Sequence, residues 1–491
     1  MTNTKKENNY SNILKRISSF GGVQVFNILI NLIRGKFVAL LLGPEGMGIS
    51  SLFTTSTSTI QQFSSLGLNL AFVKEVAAYK DDKEKIPHIL AIAFRLLIFT
   101  SLLGALVCLV LSPLLSKWSF GNYDYTLSFA ILSAGVALSV AAAGYLSLLQ
   151  GFGEIKSLSK ASIVGGLTGL LGGVPMYYFW GDKGIVPAIV LLALTTFLFY
   201  FISLRKALGN SLSVEKVPFA FSEHFPKIKK MISLGLVLMV GSLAGAFSNY
   251  IINIFIRSFG SVDNVGLFQA ANSITNQYIG IVFSALALDY FPRLSAISSD
   301  LEKMNSVVNR QAEIVIVLMT PLILALLLTA PWVIRILLSD NFLSVTPLVR
   351  WMALGVLLQG ITFPLGYLFI ANENRKLYFW IEVVTGNILW IGCSFIFYYF
   401  FNLIGLGISL VARTSIDILI NIVICKRFYG FNFTLKTIRI VLICLIMGVG
   451  GFFLSFSPSS VCMLWLPVLL VLSVLYSVYI ITLGVRKSSD S

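Results

Sequence analysis

Apolar runs of about twenty residues, separated by short polar or basic stretches, recur along the whole chain. Each is long enough to cross a bilayer as a helix, which takes about 20 residues. Counted on that rule there are fourteen, at roughly 17–42, 47–70, 89–111, 126–149, 161–180, 185–204, 231–256, 266–289, 313–338, 348–370, 377–400, 404–425, 438–456 and 461–484. Gly, Ser and Thr are frequent inside them, as expected where membrane helices pack closely. The pattern predicts an all-α polytopic membrane protein. The polar, basic start MTNTKKENNYSN resembles a signal peptide in charge order. No small-residue cleavage site follows and the apolar run continues, so this segment reads as an uncleaved first span.

The loops then set an orientation. Lys and Arg in alternate loops divide 27 to three, the three being Lys117, Lys183 and Arg257. Basic loops stay on the cytoplasmic side, so both termini are expected there. The longest cytoplasmic connection, residues 205–230, carries six Lys and Arg and separates the first six spans from the rest. The loops on the other side are no longer than about the stretch Ser112 to Tyr125, so any chemistry or transport has to occur among the helices.

Composition agrees. The 491 residues are 57% apolar and only 12% charged, whereas soluble domains carry about 25% charged residues. Soluble enzymes, nucleic-acid-binding domains and disordered scaffolds are thereby excluded as readings of the whole chain. The net charge of +15 is mostly topology and requires no nucleic-acid partner. Five cysteines in apolar stretches, with no CxxC spacing, and two distant histidines give no disulfide framework and no metal site. A P-loop and an H-E-x-x-H motif are both missing. The glycines of 165–173 follow no strand and read as helix packing. No cofactor is expected, and no catalysis.

An internal repeat runs through the first twelve spans. Ser18–Gly48 and Ser233–Gly266 each follow a basic cluster, continue as a span and end in a Gly-bounded turn. Gly144-Tyr145-Leu146 matches Gly366-Tyr367-Leu368, at offsets of 215 to 222 residues. Six helices per copy make the repeat parallel, with its axis along the membrane normal, which suits two lobes around a central cavity. The expected organisation is an N-terminal six-helix lobe (1–204), a basic cytoplasmic linker (205–230), a C-terminal six-helix lobe (231–430) and an appended two-helix segment with tail (431–491).

Ionisable groups inside spans are costly and normally face a cavity or a partner. Arg34 and Lys36, late in span 1, either snorkel to the outer interface or form a cationic site on the outer half of the cavity. Arg413 and Asp417 sit near mid-depth, four residues apart on one helical face. They read either as a self-neutralising pair or as a hinge or coupling pair. Glu382 and Asp289, near inner span ends, are interfacial or coupling candidates. Arg95, Arg257, Arg335 and Arg350 lie near span ends as anchors. If several of these basic residues face one lumen, it favours an anion, and Arg suits phosphate. Span 2 is rich in hydroxyls and holds Gln61 and Gln62, and the equivalent span 8 holds Asn272 and Asn276. Those hydroxyls either bond back to their own helix or line a cavity that accommodates sugar.

Gly35-Lys36 with Leu42-Gly43-Pro44-Glu45-Gly46-Met47-Gly48 resembles the first turn of Wzx-type polysaccharide flippases. So does Phe120-Gly121-Asn122-Tyr123-Asp124-Tyr125. The run Leu337-Leu338-Ser339-Asp340-Asn341-Phe342, Trp351, Gly366-Tyr367-Leu368-Phe369-Ile370-Ala371, Tyr378 and Glu382 is similar to the lipid-linked O-antigen and common-antigen translocases. The resemblance covers about residues 14–430. It implies the multidrug/oligosaccharidyl-lipid/polysaccharide exporter superfamily, whose members move undecaprenyl-pyrophosphate-linked oligosaccharides across the bacterial inner membrane. It further implies a lipid-linked glycan as substrate and the bilayer as its setting. Polysaccharide polymerase and chain-length proteins follow as candidate partners. The pyrophosphate would meet cavity cations, and of Lys36, Arg34, Arg257 and Arg413 only Lys36 lies in a matched motif. The last two spans depart from the family's usual twelve. A drug/cation antiporter of the same superfamily would want a membrane-embedded acid in spans 1 to 6, which have none at mid-depth. A polymerase or ligase would want a large outside loop, and a scaffold would not need mid-membrane charge.

Overall fold

A computed structural model describes residues 2–80, 82, 84–208, 221–297, 300–372, 374–457 and 459–489. Among them no strand occurs. The helices are α1 (Thr2–Ser64), α2 (Leu68–Tyr79), α3 (Lys85–Val110), α4 (Ser112–Phe120), α5 (Thr126–Phe152), α6 (Ile155–Trp180), α7 (Ile185–Leu208), α8 (Phe221–Phe259), α9 (Val262–Asn272), α10 (Tyr278–Ala296), α11 (Leu301–Leu337), α12 (Thr346–Ala371), α13 (Arg375–Tyr378), α14 (Gly386–Tyr429), α15 (Leu435–Ser455) and α16 (Ser459–Ser489). Ten of these helices or merged helix runs are long and apolar enough to cross a membrane. The chain is a multi-pass, all-α membrane protein.

The expected spans survive, with different punctuation. Span 1 and most of span 2 form the single helix α1, which ends at Ser64 and is kinked at Gly43 (φ 67°, ψ −163°), where Pro44 restarts the helix with its preset φ. Spans 11 and 12 are joined through Asn402 (φ 50°, ψ −137°) within α14. The stretch expected as the loop 112–125 contains α4, a two-turn helix that starts with Pro113 in its first turn. Two π-helical turns interrupt the spans, at Ser273–Gln277 between α9 and α10 and at Phe379–Thr385 between α13 and α14. Such turns concentrate at functional sites, and here they hold Asn276 and Glu382.

The structure adds an anchor to the repeat. Gly181 (φ 56°, ψ −133°), between α6 and α7, is followed three residues later by Gly184. Asn402, in nearly the same backbone conformation, is followed three residues later by Gly405. A Cβ on Gly184 would lie 2.1 Å from the Met176 carbonyl, and one on Gly405 would lie 1.9 Å from the Phe397 carbonyl. The same tight helical turn thus recurs at the spacing of the other anchors.

Two compact units divide the chain, Met1–Gly266 and Leu267–Ser491. Unit 1 has a core of Leu68, Phe72, Val76, Leu90, Leu97 and Leu148 among its buried residues. Unit 2 has one core around Val315, Met319, Leu324 and Leu357 that reaches Cys444 and Phe452 of α15 and Leu466 of α16. A second gathers Tyr290, Leu294, Val308, Leu365 and Phe369. Compactness and repeat thus cut the chain differently, because α8 opens the second repeat yet packs within unit 1. The centre of the basic linker, 209–220, lies outside the described residues.

Candidate functional site

Each unit contains a polar cavity at span depth. In unit 1 Asn27, Asn31 and Arg34 follow at steps of four and three, which puts them on one face of the first half of α1. Thr54, Thr57, Ser58 and Gln61 do the same on its second half. Both stripes line a cavity of about 420 Å³, with Ser139 and Ser162 from α5 and α6. Ser162 donates to Asn27 Oδ1 at 3.0 Å, and Gln61 Nε2 donates to the Ser139 carbonyl at 3.4 Å. Arg34 is half-buried and, among the described residues, is the one ionisable group besides Tyr200 in that lining. The hydroxyl-rich segment divides its roles. Thr54, Thr55, Thr57 and Thr59 each donate to the carbonyl four residues back at 2.8 Å, as Ser and Thr in helices do.

Members of the same segment also hold α8. Asn253 Nδ2 donates to Ser51 Oγ at 3.3 Å and to Thr55 Oγ1 at 3.4 Å. Ser119 Oγ links Ser56 Oγ (3.2 Å) to the Tyr250 hydroxyl (2.9 Å). Arg257 lies at the same end of unit 1. Its Nε donates to the Ser119 carbonyl at 2.9 Å and its Nη2 to the Trp118 carbonyl at 2.5 Å. It therefore caps the C-terminus of α4, where a cation meets the negative end of the helix dipole.

In unit 2 a cavity of about 370 Å³ is lined by Gln359, Tyr367, Glu382, Arg413, Asp417 and Asn421, among others. Arg413 Nε stands 3.5 Å from Asp417 Oδ2, and the guanidinium lies 5.3 Å from the Trp390 ring centre. Glu382 enters from the π turn against Gly366, where a Cβ would come within 3.1 Å of its Oε1. Asn421 is 4% exposed. Its Nδ2 donates to the Asp417 carbonyl at 3.0 Å, while its buried Oδ1 has no partner among the described residues.

The expected site residues thus separate. Arg34 and Gln61 share the unit 1 cavity, and Glu382, Arg413 and Asp417 share the unit 2 cavity. Lys36 and Gln62 line neither, since they stand two residues and one residue off the lining stripes. Asn276 donates to Asn272 Oδ1 one turn away, outside both linings. Asp289 is exposed and ion-paired to Arg293. Sequence reasoning missed Asn27, Asn31 and Asn421, for which the available signal was their helical spacing to Arg34 and Asp417. It also missed Glu313 of α11, 8% exposed, which accepts from Lys436 Nζ at 2.7 Å and Thr437 Oγ1 at 2.8 Å. That cluster ties the start of α15 to unit 2. Among the described residues no group of His, Cys, Asp and Glu is arranged to hold a metal.

Residues 37–347 match the family model described as "Polysaccharide biosynthesis protein". The chain belongs to this family. The lipid III flippase of Escherichia coli (strain K12) is 24% identical over 370 residues, covering 73% of this chain and 85% of the relative. Among solved structures, an inward-facing multidrug resistance transporter of the MATE family, in the MOP superfamily, superposes with a TM-score of 0.70 at 18% identity. It covers 82% of this chain and 94% of that one. The lipid II flippase MurJ, in an inward closed conformation, gives a TM-score of 0.68 at 16% identity, over 96% of this chain and 100% of that one. The chain shares the fold of these solved transporters.

Proposed function

We propose that this protein flips an oligosaccharide linked to undecaprenyl pyrophosphate from the cytoplasmic to the periplasmic leaflet of a bacterial inner membrane, by alternating access. The observation that carries the reading is the unit 1 cavity, in which Arg34 is set among neutral amides and hydroxyls, with no carboxylate among the described lining residues. A guanidinium binds phosphate through paired donors, and amides and hydroxyls suit the hydroxyls of sugars. The multidrug/cation antiporter reading would put an acid in that place. Arg34 is therefore the diphosphate-binding residue of this reading, and Lys36 a second cation near the same end of the helix. Asn27, Asn31 and Gln61 face the glycan, while the polyprenyl chain stays in lipid. Arg257 and Arg413 already serve carbonyls and Asp417, so they support the fold and the coupling rather than the substrate. Coupling falls to Glu382 and Asp417, with Asp289 at the membrane surface. The 27-to-three bias of Lys and Arg sets both termini on the cytoplasmic side, and the partners implied are a polysaccharide polymerase and chain-length proteins.

The test is deletion of the gene, with extraction of polyprenyl-linked oligosaccharides and comparison of surface polysaccharide. Accumulated lipid-linked repeat units with loss of surface glycan are expected. Unchanged glycan with new sensitivity to cationic compounds would move the protein to the antiporter class.

A further inference from the structure

We propose that a second cavity of unit 2, between the start of α11, the start of α15 and the later half of α16, binds one phosphatidylethanolamine from the adjoining leaflet. Arg310 takes the phosphate, Glu302 takes the primary ammonium, and the acyl chains run along the apolar half of the cavity. The site stands whatever substrate is exported. That the leaflet is the cytoplasmic one rests on the topology proposed above.

The cavity holds about 740 Å³, and its polarity is graded along α11. Glu302, Ser306, Arg310, Ile314 and Leu318 line it and follow at steps of four, which makes them one row of the helix surface. The row is charged or polar through Arg310 and apolar from Ile314 onward. Depth matches that gradient. Between Glu313 and Arg335 lie 21 residues without a charge, about 32 Å of helix, close to the hydrocarbon thickness of about 30 Å. Glu302 to Arg310 therefore stand at headgroup level, and Ile314 and Leu318 at the level of the acyl chains. Val317, Ile480 and Ile481 complete the apolar part, and Ile481 is 39% exposed, so this wall reaches the lipid-facing surface. The walls are tied in place. Ser477 Oγ of α16 donates to the Val317 carbonyl at 2.7 Å, and Asn309 Nδ2 donates to the Asn432 carbonyl, just before α15, at 3.0 Å.

Charge selects the headgroup. The described lining carries two carboxylates, Glu302 and Glu313, and two cations, Arg310 and Lys436. Lys436 Nζ donates to Glu313 at 2.7 Å, which satisfies that pair. Arg310 and Glu302 are both exposed, and neither makes an ion pair among the described residues. One cation and one anion on a single helical row match a headgroup that carries both a phosphate and an ammonium. A guanidinium pairs its donors with phosphate oxygens. A primary ammonium offers three N–H donors, as a lysine does, and a carboxylate accepts them. Other lipids leave one side unmatched. Phosphatidylglycerol or a polyprenyl diphosphate brings negative charge alone and would sit against Glu302. The quaternary ammonium of phosphatidylcholine has no N–H for Glu302, and no aromatic ring stands in the described lining to receive it by cation–π contact.

The test uses the purified, delipidated full-length protein in detergent, offered equal amounts of phosphatidylethanolamine, phosphatidylcholine, phosphatidylglycerol and undecaprenyl phosphate. Retained lipid is read by native mass spectrometry. One phosphatidylethanolamine is expected to stay bound in preference to each of the others. Glu302→Gln should lower its preference over phosphatidylglycerol about two- to fivefold, the order of an exposed ion pair, and Glu302→Lys should reverse it. That reversal is a gain of binding, which a misfolded variant cannot imitate. Arg310→Gln should weaken retention of both lipids. Lys303→Gln, outside the lining and paired with Asp300, should leave the preference unchanged. Equal retention of phosphatidylcholine and phosphatidylethanolamine by the wild type would overturn the proposal. So would a wild-type preference for phosphatidylglycerol or undecaprenyl phosphate, or a preference indifferent to both Glu302 variants. Intact preference combined with unchanged surface glycan on gene deletion would sink the flippase reading alone. Absent preference combined with lost glycan would sink the phospholipid site alone.

Discussion

Arg257 reaches from α8 to donate to the carbonyl of Ser119 at 2.9 Å, in the last turn of α4 and two residues before its cap Gly121. The two residues are 138 positions apart in sequence, and the bond joins the first helix of the second repeat to a short helix of the first. Gly121 has φ 84°, and a Cβ there would come within 2.7 Å of Arg257 Nη1. The left-handed turn and the approach of the guanidinium thus make the same demand, a residue without a side chain. Hydrogen bonds to a charged group contribute about 1.5–3 kcal/mol. Arg257→Ala should lower the thermal midpoint in detergent, and Gly121→Ala should lower it through both backbone strain and displacement of Arg257. The double variant should cost less than the two single losses together, since both break one contact. Strict additivity in the melting series would mean that the cap and the turn are independent.

The turn at Asn402 supports a prediction of opposite sign. Its φ of 50° with ψ −137° is a conformation that non-glycine residues adopt at a cost of about 1–3 kcal/mol, and the equivalent position in the first repeat is Gly181. The Asn402 side chain is exposed. Asn402→Gly should therefore stabilise the protein by about 1 kcal/mol, after allowing for the greater freedom of glycine in the unfolded chain. Gly181→Asn should destabilise it. The check is a pair of thermal melts, and a lower midpoint for Asn402→Gly would refute the argument.

The same turn shows what the sequence could and could not disclose. Hydrophobic run length is set by bilayer thickness, so the long apolar helices were legible, along with the charged residues that interrupt them, whereas the stretch expected as the span 266–289 is broken by the π turn Ser273–Gln277. The match of Gly181–Gly184 to Asn402–Gly405 was also present in the letters, but an Asn in one copy hides a backbone conformation that only dihedral angles reveal. Arg257 read as a cavity cation because its partners are main-chain carbonyls of α4, and a backbone acceptor leaves no mark in sequence. Asn27, Asn31 and Asn421 carry no charge to mark them, and which face of a helix turns to a cavity is visible only once the helices are packed. By hydropathy Glu313 is the first residue of the span 313–338, whereas α11 begins at Leu301 and carries it well inside the helix.

For Arg34 the expected effect is on transport rather than on folding. The side chain lines the unit 1 cavity and makes no ion pair among the described residues, so its loss removes little from the folded state. A charge-assisted contact to a diphosphate contributes about 1.5–3 kcal/mol, or roughly a ten- to hundredfold change in affinity. Arg34→Gln should slow export of surface glycan by that order and cause lipid-linked repeat units to accumulate, at unaltered membrane level and melting temperature. Arg34→Lys should recover part of the activity, because a point charge replaces the paired donors. Export at the wild-type rate in Arg34→Gln would remove Arg34 from the substrate site.

The Glu313–Lys436 contact should respond unequally to loss of its two partners. Glu313 has 10% of its side chain exposed and Lys436 has 65%, so the carboxylate is buried while the ammonium is largely in contact with its surroundings. Lys436→Met strands a buried charge that keeps only the Thr437 hydroxyl as partner. Glu313→Gln removes the buried charge, and the released lysine can turn outward. A buried charge left unpaired costs about 3–5 kcal/mol when wholly enclosed, and less here because Lys436 already shares its charge with the exterior. Lys436→Met should thus destabilise the protein by about 1–3 kcal/mol, and Glu313→Gln by less than about 1 kcal/mol. Restoring neutrality in the double variant should recover most of the Lys436→Met loss. The loss should be concentrated where α15 meets α11, so hydrogen exchange should rise first in Leu435–Ser455. Equal losses from the two single variants would show that the contact acts through packing and not through charge.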